Sequence, residues 1–251
     1  LCRCRHETCR VKKLLKIIGA LLALILLLLA WPAYQLYVEI EKSRSEDPLV
    51  WAQDIEALEE KSTGRYAPDE AVVFVGSSSI RLWRTLEQDM APLPVLQHGF
   101  GGAKLNDVVH YAARLVSAYR PRAVVVFAGT NDISPEAAKP PDTLLASYQS
   151  FIDIVRRAQP GLPVFFIGIT PSPLRWEVWG VAHATNELIR EWSTTQRSLY
   201  FIDTGPGLLG ADGAPDPSNY VFDGLHLSER GYAKWTSIIR PRLLEVLGPP
   251  R

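Results

Sequence analysis

Five short apolar runs, each about as long as one β-strand, alternate along this chain with longer stretches of helical periodicity. A continuous apolar run that ends at a glycine or polar turn is typical of a strand buried on both faces. Strands that alternate with amphipathic helices form βαβ units, and therefore a parallel sheet covered by helices on both sides. The sequence thus predicts an α/β fold with these strands: Ala71–Val75, Val95–Gln97, Ala123–Ala128, Pro163–Ile169 and Leu199–Ile202.

The intervening segments carry apolar residues at helical spacing. A leading helix is predicted over Pro48–Glu60, before the first strand. The helices that follow the strands are predicted over Ser79–Asp89, Leu105–Tyr119, Thr143–Gln159, Glu177–Arg197 and Ser228–Leu247.

Charge and cysteine content exclude some classes of protein. The 251 residues contain 27 basic and 27 acidic side chains, a balance that argues against a nucleic-acid partner. All three cysteines lie in the first ten residues, so no disulfide framework is expected in the core. The cysteines and His6 invite interpretation as a metal site, but a short arm before a membrane segment is a poor cage, and we expect no metal.

A basic head and a long apolar run precede the α/β region. Residues 1–16 are rich in arginine and lysine, and residues 17–38 are apolar enough to span a membrane. The basic head predicts a cytoplasmic N-terminus and an extracytoplasmic or periplasmic α/β domain. A cleaved signal peptide is the alternative. Residues 39–61 would form a linker with the leading helix, and residues 62–251 would form the α/β domain. A start at Val11, with residues 1–10 non-native, is a further hypothesis.

Polar and glycine residues collect where the predicted strands end. Sites in parallel sheets lie at these carboxyl ends. The first three strands end at Gly76-Ser77-Ser78, at a loop that reaches Gly101-Gly102, and at Gly129-Thr130-Asn131-Asp132. A fourth polar segment, Asp223-Gly224-Leu225-His226, precedes the last helix.

Together these segments contain the parts of an acyl-transfer site. Ser78 is the predicted nucleophile, and His226 is the base that would take its proton. Asp223 would orient the imidazole. The backbone N–H groups of Ser78 and Gly102, with the Asn131 side-chain amide, would hold the oxyanion.

These four segments resemble the ordered blocks of the SGNH hydrolase superfamily, the GDSL-type lipases and esterases. The resemblance runs from about Val72 to Tyr232, and it matches Ser78, Gly102, Asn131 and the Asp223–His226 pair. It implies a flavodoxin-like three-layer α/β/α sandwich with strand order 2-1-3-4-5, no cofactor and no metal. One departure is Ser77, which stands where the family has aspartate. It leaves Ser77 and Ser79 as alternative nucleophiles.

Two other folds are disfavoured by the sequence. Gly99–Lys104 lacks the third glycine of a dinucleotide-binding turn and the spacing of a phosphate loop. Ile80 stands where the α/β-hydrolase elbow has its second glycine. Three further residues near the strand ends are predicted to bind substrate: His98, Arg175 and Trp176.

The sequence therefore predicts a membrane-anchored serine esterase that cleaves carboxylic esters of small acyl groups, lipids or glycans through an acyl-enzyme. Two alternatives stay open. The same residues would serve an O-acyltransferase that acts on envelope carbohydrate, or the triad would be vestigial in a carbohydrate- or lipid-binding module.

Overall fold

The computed structural model describes residues 2–67 and 69–249, and it places the chain in two compact units, Leu1–Arg44 and Ser45–Arg251. Within the first unit, the described side chains begin at position 12. The cysteine-containing head and the proposed start at Val11 lie outside them. Among the residues described, no group of three or more His, Cys, Asp or Glu side chains is placed to hold a metal.

The first unit is a single helix, α1 (Cys2–Arg44). Its segment Leu15–Arg44 is long and apolar enough to cross a membrane, and it contains the predicted span 17–38. Thirty residues of helix extend about 45 Å, more than the hydrocarbon core requires. By length and composition this helix fits either a membrane anchor or a signal sequence.

The second unit contains one five-stranded sheet in which all neighbouring strands run parallel, in the order β2-β1-β3-β4-β5. The predicted fold class and strand order are confirmed. The strands are β1 (Val72–Gly76), β2 (Val95–Gly99), β3 (Ala123–Phe127), β4 (Val164–Ile167) and β5 (Leu199–Ile202).

Seven α-helices accompany the strands in the described part of this unit, with short 3-10 turns between some of them. They are α2 (Ala52–Ser62), α3 (Ser78–Arg81), α4 (Leu86–Asp89), α5 (Leu105–Leu115), α6 (Pro141–Ala158), α7 (Trp179–Thr194) and α8 (Glu229–Leu247).

One predicted helix is broken in two. The segment Ser79–Asp89 forms α3 and α4, separated by a turn at Leu82–Thr85. The cause is a long-range contact, because the side-chain amide of Gln97 on β2 donates to the carbonyls of Ile80 (2.7 Å) and Trp83 (2.9 Å). Those carbonyls are thus satisfied without further helical turns.

The sheet separates two apolar cores. Successive strand residues point to opposite faces, so Val73 and Val75 of β1 join one core while Val72 and Phe74 join the other. The first core also contains Trp51 and side chains of α2, α5, α6 and α7. The second is formed by α3, α4 and α8. Burying a large apolar side chain contributes about 1.5–3 kcal/mol, so these two layers stabilise the sandwich.

Aromatic packing in the second core fixes α8 against the end of β1. The Trp83 ring stacks on Tyr232 of α8 at 5.3 Å between centroids, and Trp235 meets Trp83 edge-on at 5.6 Å. The Tyr232 hydroxyl donates to the carbonyl of Ser79 (2.9 Å). The loop before α8 is therefore held beside the first residues of α3.

Candidate active site

A tight turn at the end of β1 places Ser78 at the first position of α3. Gly76 permits this turn, since a Cβ there would lie 2.0 Å from the carbonyl oxygen of Phe127 on β3. That carbonyl instead accepts the N–H of Ser77 (3.0 Å). The N–H groups of a first helical turn have no acceptor within the helix, so the Ser78 N–H is available to a ligand.

The loop before α8 brings His226 to Ser78. An antiparallel bridge between Tyr220 and Leu227 closes the loop, and the Val221 N–H donates to the His226 carbonyl (2.9 Å). His226 Nε2 lies 2.8 Å from Ser78 Oγ, although the two residues are 148 positions apart.

Asp223 orients this imidazole from within the same loop. One oxygen accepts the backbone N–H groups of Leu225 and His226, both at 2.9 Å, and the other lies 2.6 Å from His226 Nδ1. Partial burial raises the pKa of Asp223, but the hydrogen bonds from His226 and the two backbone N–H groups outweigh it and hold the pKa below its ordinary value. An ionised carboxylate only accepts, so Nδ1 carries a proton and Nε2 is left to accept from Ser78.

The turn after the third strand carries Asn131. Asn131 lies in the 3-10 turn Thr130–Asp132, directly after Gly129, whose φ is +112°. Its side-chain amide donates to the Ala103 carbonyl (3.0 Å), which ties it to the loop that contains Gly102. Asn131 and Ser78 line one small cavity of about 10 Å³. Gly102 lies half-buried in that loop, next to Ala103.

An ionic network around the buried Asp132, which the sequence analysis did not anticipate, supports this arrangement. One oxygen of Asp132, a side chain only 1% exposed, accepts the Leu105 N–H (2.8 Å) at the start of α5. The other oxygen pairs with Lys139 (2.9 Å), which also contacts Glu46 (3.0 Å). Burial raises the pKa of Asp132, although the Leu105 N–H and Lys139 oppose this. Asp132 therefore joins the Asn131 turn to the loop after β2.

The structure contains a second Ser–His hydrogen bond, between Ser62 Oγ and His98 Nε2 at 2.9 Å. His98 is 0% exposed, and its Nδ1 lies 2.6 Å from the Leu115 carbonyl. Both ring nitrogens are thus bonded inside the core. This placement favours a structural role for His98 over contact with substrate.

Burial of His98 should make folding sensitive to acid. Desolvation lowers the pKa of His98 to about 4 from 6.5, and the bond to Leu115 only partly opposes it. The unfolded chain therefore binds a proton at pH 5 that the folded chain does not, so stability falls as the pH drops from about 6.5 towards 4. We expect His98 to account for about 2 kcal/mol of the loss between pH 7.5 and pH 5.

Urea unfolding of the detergent-solubilised chain, followed by tryptophan fluorescence at both pH values, checks this expectation. In His98→Gln the stability difference between pH 7.5 and pH 5 should shrink by about 2 kcal/mol. His183→Gln, which alters an exposed histidine, should keep the wild-type difference. An unchanged pH dependence in His98→Gln would contradict the assignment.

The two remaining predicted substrate contacts lie in the 3-10 turn Pro173–Val178, after β4. Arg175 is half-buried, and this burial lowers its pKa, with Glu136 opposing. Trp176 is 38% exposed and stacks on Trp179 at 6.1 Å. Ser172, just before this turn, lines the cavity beside Ser78, whereas Arg175 and Trp176 are not among the residues that line it. Their contact with substrate stays a prediction.

The similarity to known proteins lies in the second unit of the chain. The model of the GDSL-like lipase/acylhydrolase family matches residues 52–234, about three quarters of the chain. The chain belongs to this family. This GDSL-like protein is 30% identical over 191 residues to platelet-activating factor acetylhydrolase IB subunit alpha1 of Rattus norvegicus. That alignment covers 70% of this chain and 76% of the relative. The alpha2 subunit of Homo sapiens is 27% identical over 70% of this chain and 77% of its own.

Solved structures share the fold at lower identity. A GDSL-like lipase from Bacteroides thetaiotaomicron superposes with a TM-score of 0.64 at 20% identity, covering 80% of this chain and 98% of its own. A carbohydrate esterase family 3 enzyme from Talaromyces cellulolyticus gives a TM-score of 0.58 at 19% identity, with 70% and 98% covered. At these identities the similarity concerns the fold.

Proposed function

We propose that this GDSL-like protein is a serine esterase that releases a short acyl group through an acyl-enzyme. The observation that carries the proposal is the continuous line of hydrogen bonds from Ser78 Oγ through His226 to Asp223, with distances of 2.8 and 2.6 Å. A nucleophile, a base and an orienting carboxylate in this geometry are the arrangement that acyl transfer requires.

In the proposed reaction, Ser78 Oγ attacks the ester carbonyl carbon while its proton passes to His226 Nε2. The carbonyl oxygen becomes an oxyanion, held by the Ser78 and Gly102 N–H groups and the Asn131 amide. When the tetrahedral intermediate collapses, the alcohol leaves with the proton from His226. A water molecule then attacks the acyl-enzyme by the same route, which releases the carboxylic acid and restores Ser78.

Two spaces of different size, one beside Ser78 and one beside His226, support a short acyl group and a larger alcohol. The cavity between Ser78 and Asn131 measures about 10 Å³, enough for little more than a water-sized group. A groove of about 680 Å³ adjoins His226 and Asp223 on the side of α8, lined by Leu82, Arg84, Val221 and Tyr232 among others. The rat relative is named as an acetylhydrolase, which supports the same substrate class.

Two measurements on the full chain in detergent test this function. A fluorophosphonate probe should modify Ser78, as located by peptide mass spectrometry. Among p-nitrophenyl esters, kcat/KM should fall at least tenfold from acetate to octanoate. Absence of labelling would instead favour a binding module, and product transfer to an added carbohydrate acceptor would favour an acyltransferase. Equal rates for both acyl lengths would refute the short-acyl assignment.

Removing one proposed oxyanion donor gives a graded effect. We expect Asn131→Ala to reduce kcat by about 10²–10³-fold with little change in KM, because the amide is needed where negative charge develops. Asn106→Ala, an exposed position on α5, is the matched control and should keep wild-type kcat. An Asn131→Ala enzyme within threefold of wild type would remove this residue from the proposed oxyanion hole.

We also propose that α1 is retained as a single-pass anchor, with its N-terminus in the cytoplasm and the catalytic unit outside it. The basic residues before the apolar segment support this orientation. Intact-mass measurement of the membrane fraction should find α1 still attached. Protease added to sealed cells or spheroplasts should reach the catalytic unit. A mature protein that lacks α1 would contradict the anchor.

A further inference from the structure

Exposed apolar side chains of the catalytic unit gather at the mouth of the Ser78 cavity. Among its described residues, five large apolar side chains are exposed, and four of them flank the site. We call these four the apolar rim: Leu174, Trp176, Val221 and Phe222. A Phe222 side chain that is fully exposed next to Asp223 is unusual, because exposing apolar surface is unfavourable unless something covers it.

The backbone holds the apolar rim in this position. Two loops form it, and they are joined by the Leu174 N–H, which donates to the Gly224 carbonyl at 2.9 Å. The Gly224 N–H donates to the Val221 carbonyl (3.0 Å), which makes a tight turn with Phe222 at its tip. The same turn directs Asp223 and His226 inward, to Ser78. The outward position of Phe222 is therefore built into the loop that carries the imidazole.

We propose that the apolar rim inserts into a lipid surface and holds the mouth of the Ser78 cavity against it. A substrate ester carried by an amphiphile would then reach Ser78 without crossing bulk water. The occupant is argued from the chain itself, because an apolar helix of membrane-spanning length ends at Arg44, directly before this unit begins at Ser45. Tryptophan, phenylalanine and leucine are the side chains that amphipathic segments place at the membrane interface.

The size of the apolar rim also favours lipid over a protein partner. A stable protein interface uses about 20–30 residues on each side, whereas the rim has four. The groove beside His226 is lined in part by Val221, which itself belongs to the apolar rim. A molecule that leaves the lipid surface would thus meet the rim and the groove in sequence.

Docking can be measured without catalysis, on the full chain reconstituted in phosphatidylcholine vesicles. The variant Phe222→Trp adds a reporter to the rim, and lipids brominated in their acyl chains quench indoles that reach them. The matched control is Thr195→Trp, which directly follows α7. Thr195 therefore lies near the amino ends of the parallel strands, whereas Ser78 lies at their carboxyl ends. We expect the fluorescence added by Phe222→Trp to be quenched at least twice as strongly as that added by Thr195→Trp. Equal quenching would overturn the proposal.

A second measurement rests on the proposed function, and it distinguishes failure of the docking proposal from failure of the esterase proposal. In Leu174→Ser/Phe222→Ser, hydrolysis of a bilayer-resident short-chain ester should fall at least about tenfold, while hydrolysis of soluble p-nitrophenyl acetate stays at the wild-type rate. Since α1 is present in every variant, the difference reports docking of the rim alone. Equal loss on both esters would overturn the docking role. A smaller oligomer for the variant than for wild type in size-exclusion chromatography would also overturn it, since the rim would then join two copies of this chain. If wild type cleaves neither ester, the proposed function fails, and the quenching still decides the docking.

Discussion

Replacing Ser78 with alanine should reduce ester hydrolysis by about 10⁴–10⁶-fold, leaving only the residual rate that binding and the oxyanion donors provide. The large effect is expected because the nucleophile, the base and the orienting carboxylate act as one unit. Among the described residues, no hydroxyl other than that of Ser78 is hydrogen-bonded to His226 Nε2. Steady-state kinetics with p-nitrophenyl acetate measure the loss, and fluorophosphonate labelling should disappear with it. Little change in stability is expected from removing one hydroxyl at this position.

Ser62→Ala is the matched control, because it also removes a serine that is hydrogen-bonded to a histidine. The Ser62–His98 pair is sealed in the core, and no carboxylate is hydrogen-bonded to that ring among the described residues. This variant should lose about 1–3 kcal/mol of stability, since it leaves a buried ring nitrogen without a donor. Its kcat per folded molecule should match wild type. The opposite pattern, with Ser62→Ala inactive and Ser78→Ala active, would reassign the nucleophile to the core pair.

The sequence left the choice among Ser77, Ser78 and Ser79 open, and the geometry supports Ser78. Ser77 is 1% exposed and directly precedes α3, and its N–H donates to the carbonyl of Phe127. The Ser79 carbonyl is taken by Tyr232. Of these three serines, Ser78 is the one whose hydroxyl is hydrogen-bonded to the imidazole of His226. A shift of one residue at the start of α3 decides which serine faces His226. Composition and periodicity do not resolve a shift of one residue.

Features that depend on local pattern were predictable. The strands β1, β3 and β4 are wholly buried, so their apolar runs stand out in the sequence. For all five strands the observed bounds differ from the predicted ones by no more than two residues at either end. The strand order was predictable only through the resemblance to a family, because the sequence of β2 does not indicate that this strand lies at the edge of the sheet, next to β1. The long α1 was equally visible as an apolar run.

Features that depend on distant partners were not predictable. Gln97 on β2 interrupts the helix predicted over Ser79–Asp89 through two carbonyl contacts. Asp132 carries no signal beyond its place after Asn131, yet it joins two loops of the site through Leu105 and Lys139. In each case the deciding contact joins elements far apart in sequence, which only the folded arrangement brings together.

Changing Asp223 to asparagine should lower kcat by about 10⁴-fold while KM changes little. The oxygen of the new amide can still accept the N–H groups of Leu225 and His226, so the turn should keep its shape. The amide nitrogen, however, donates, and it would face His226 Nδ1, which also donates in the present arrangement. The ring can keep this contact only by moving its proton to Nε2, and it then cannot accept the proton of Ser78.

An imidazole with its proton on Nε2 activates Ser78 poorly towards every electrophile, including a fluorophosphonate. The rate of fluorophosphonate labelling should therefore fall in parallel with kcat, whereas the melting temperature should stay close to that of wild type. Asp216→Asn is the matched control. Asp216 also accepts a backbone N–H through an Asx turn in the same long loop, from Ser218 at 3.0 Å, but its ion-pair partner is Arg230. Its kcat should equal wild type. If Asp223→Asn lost stability and left the labelling rate of the folded fraction unchanged, Asp223 would hold the loop together and not set the protonation of the ring.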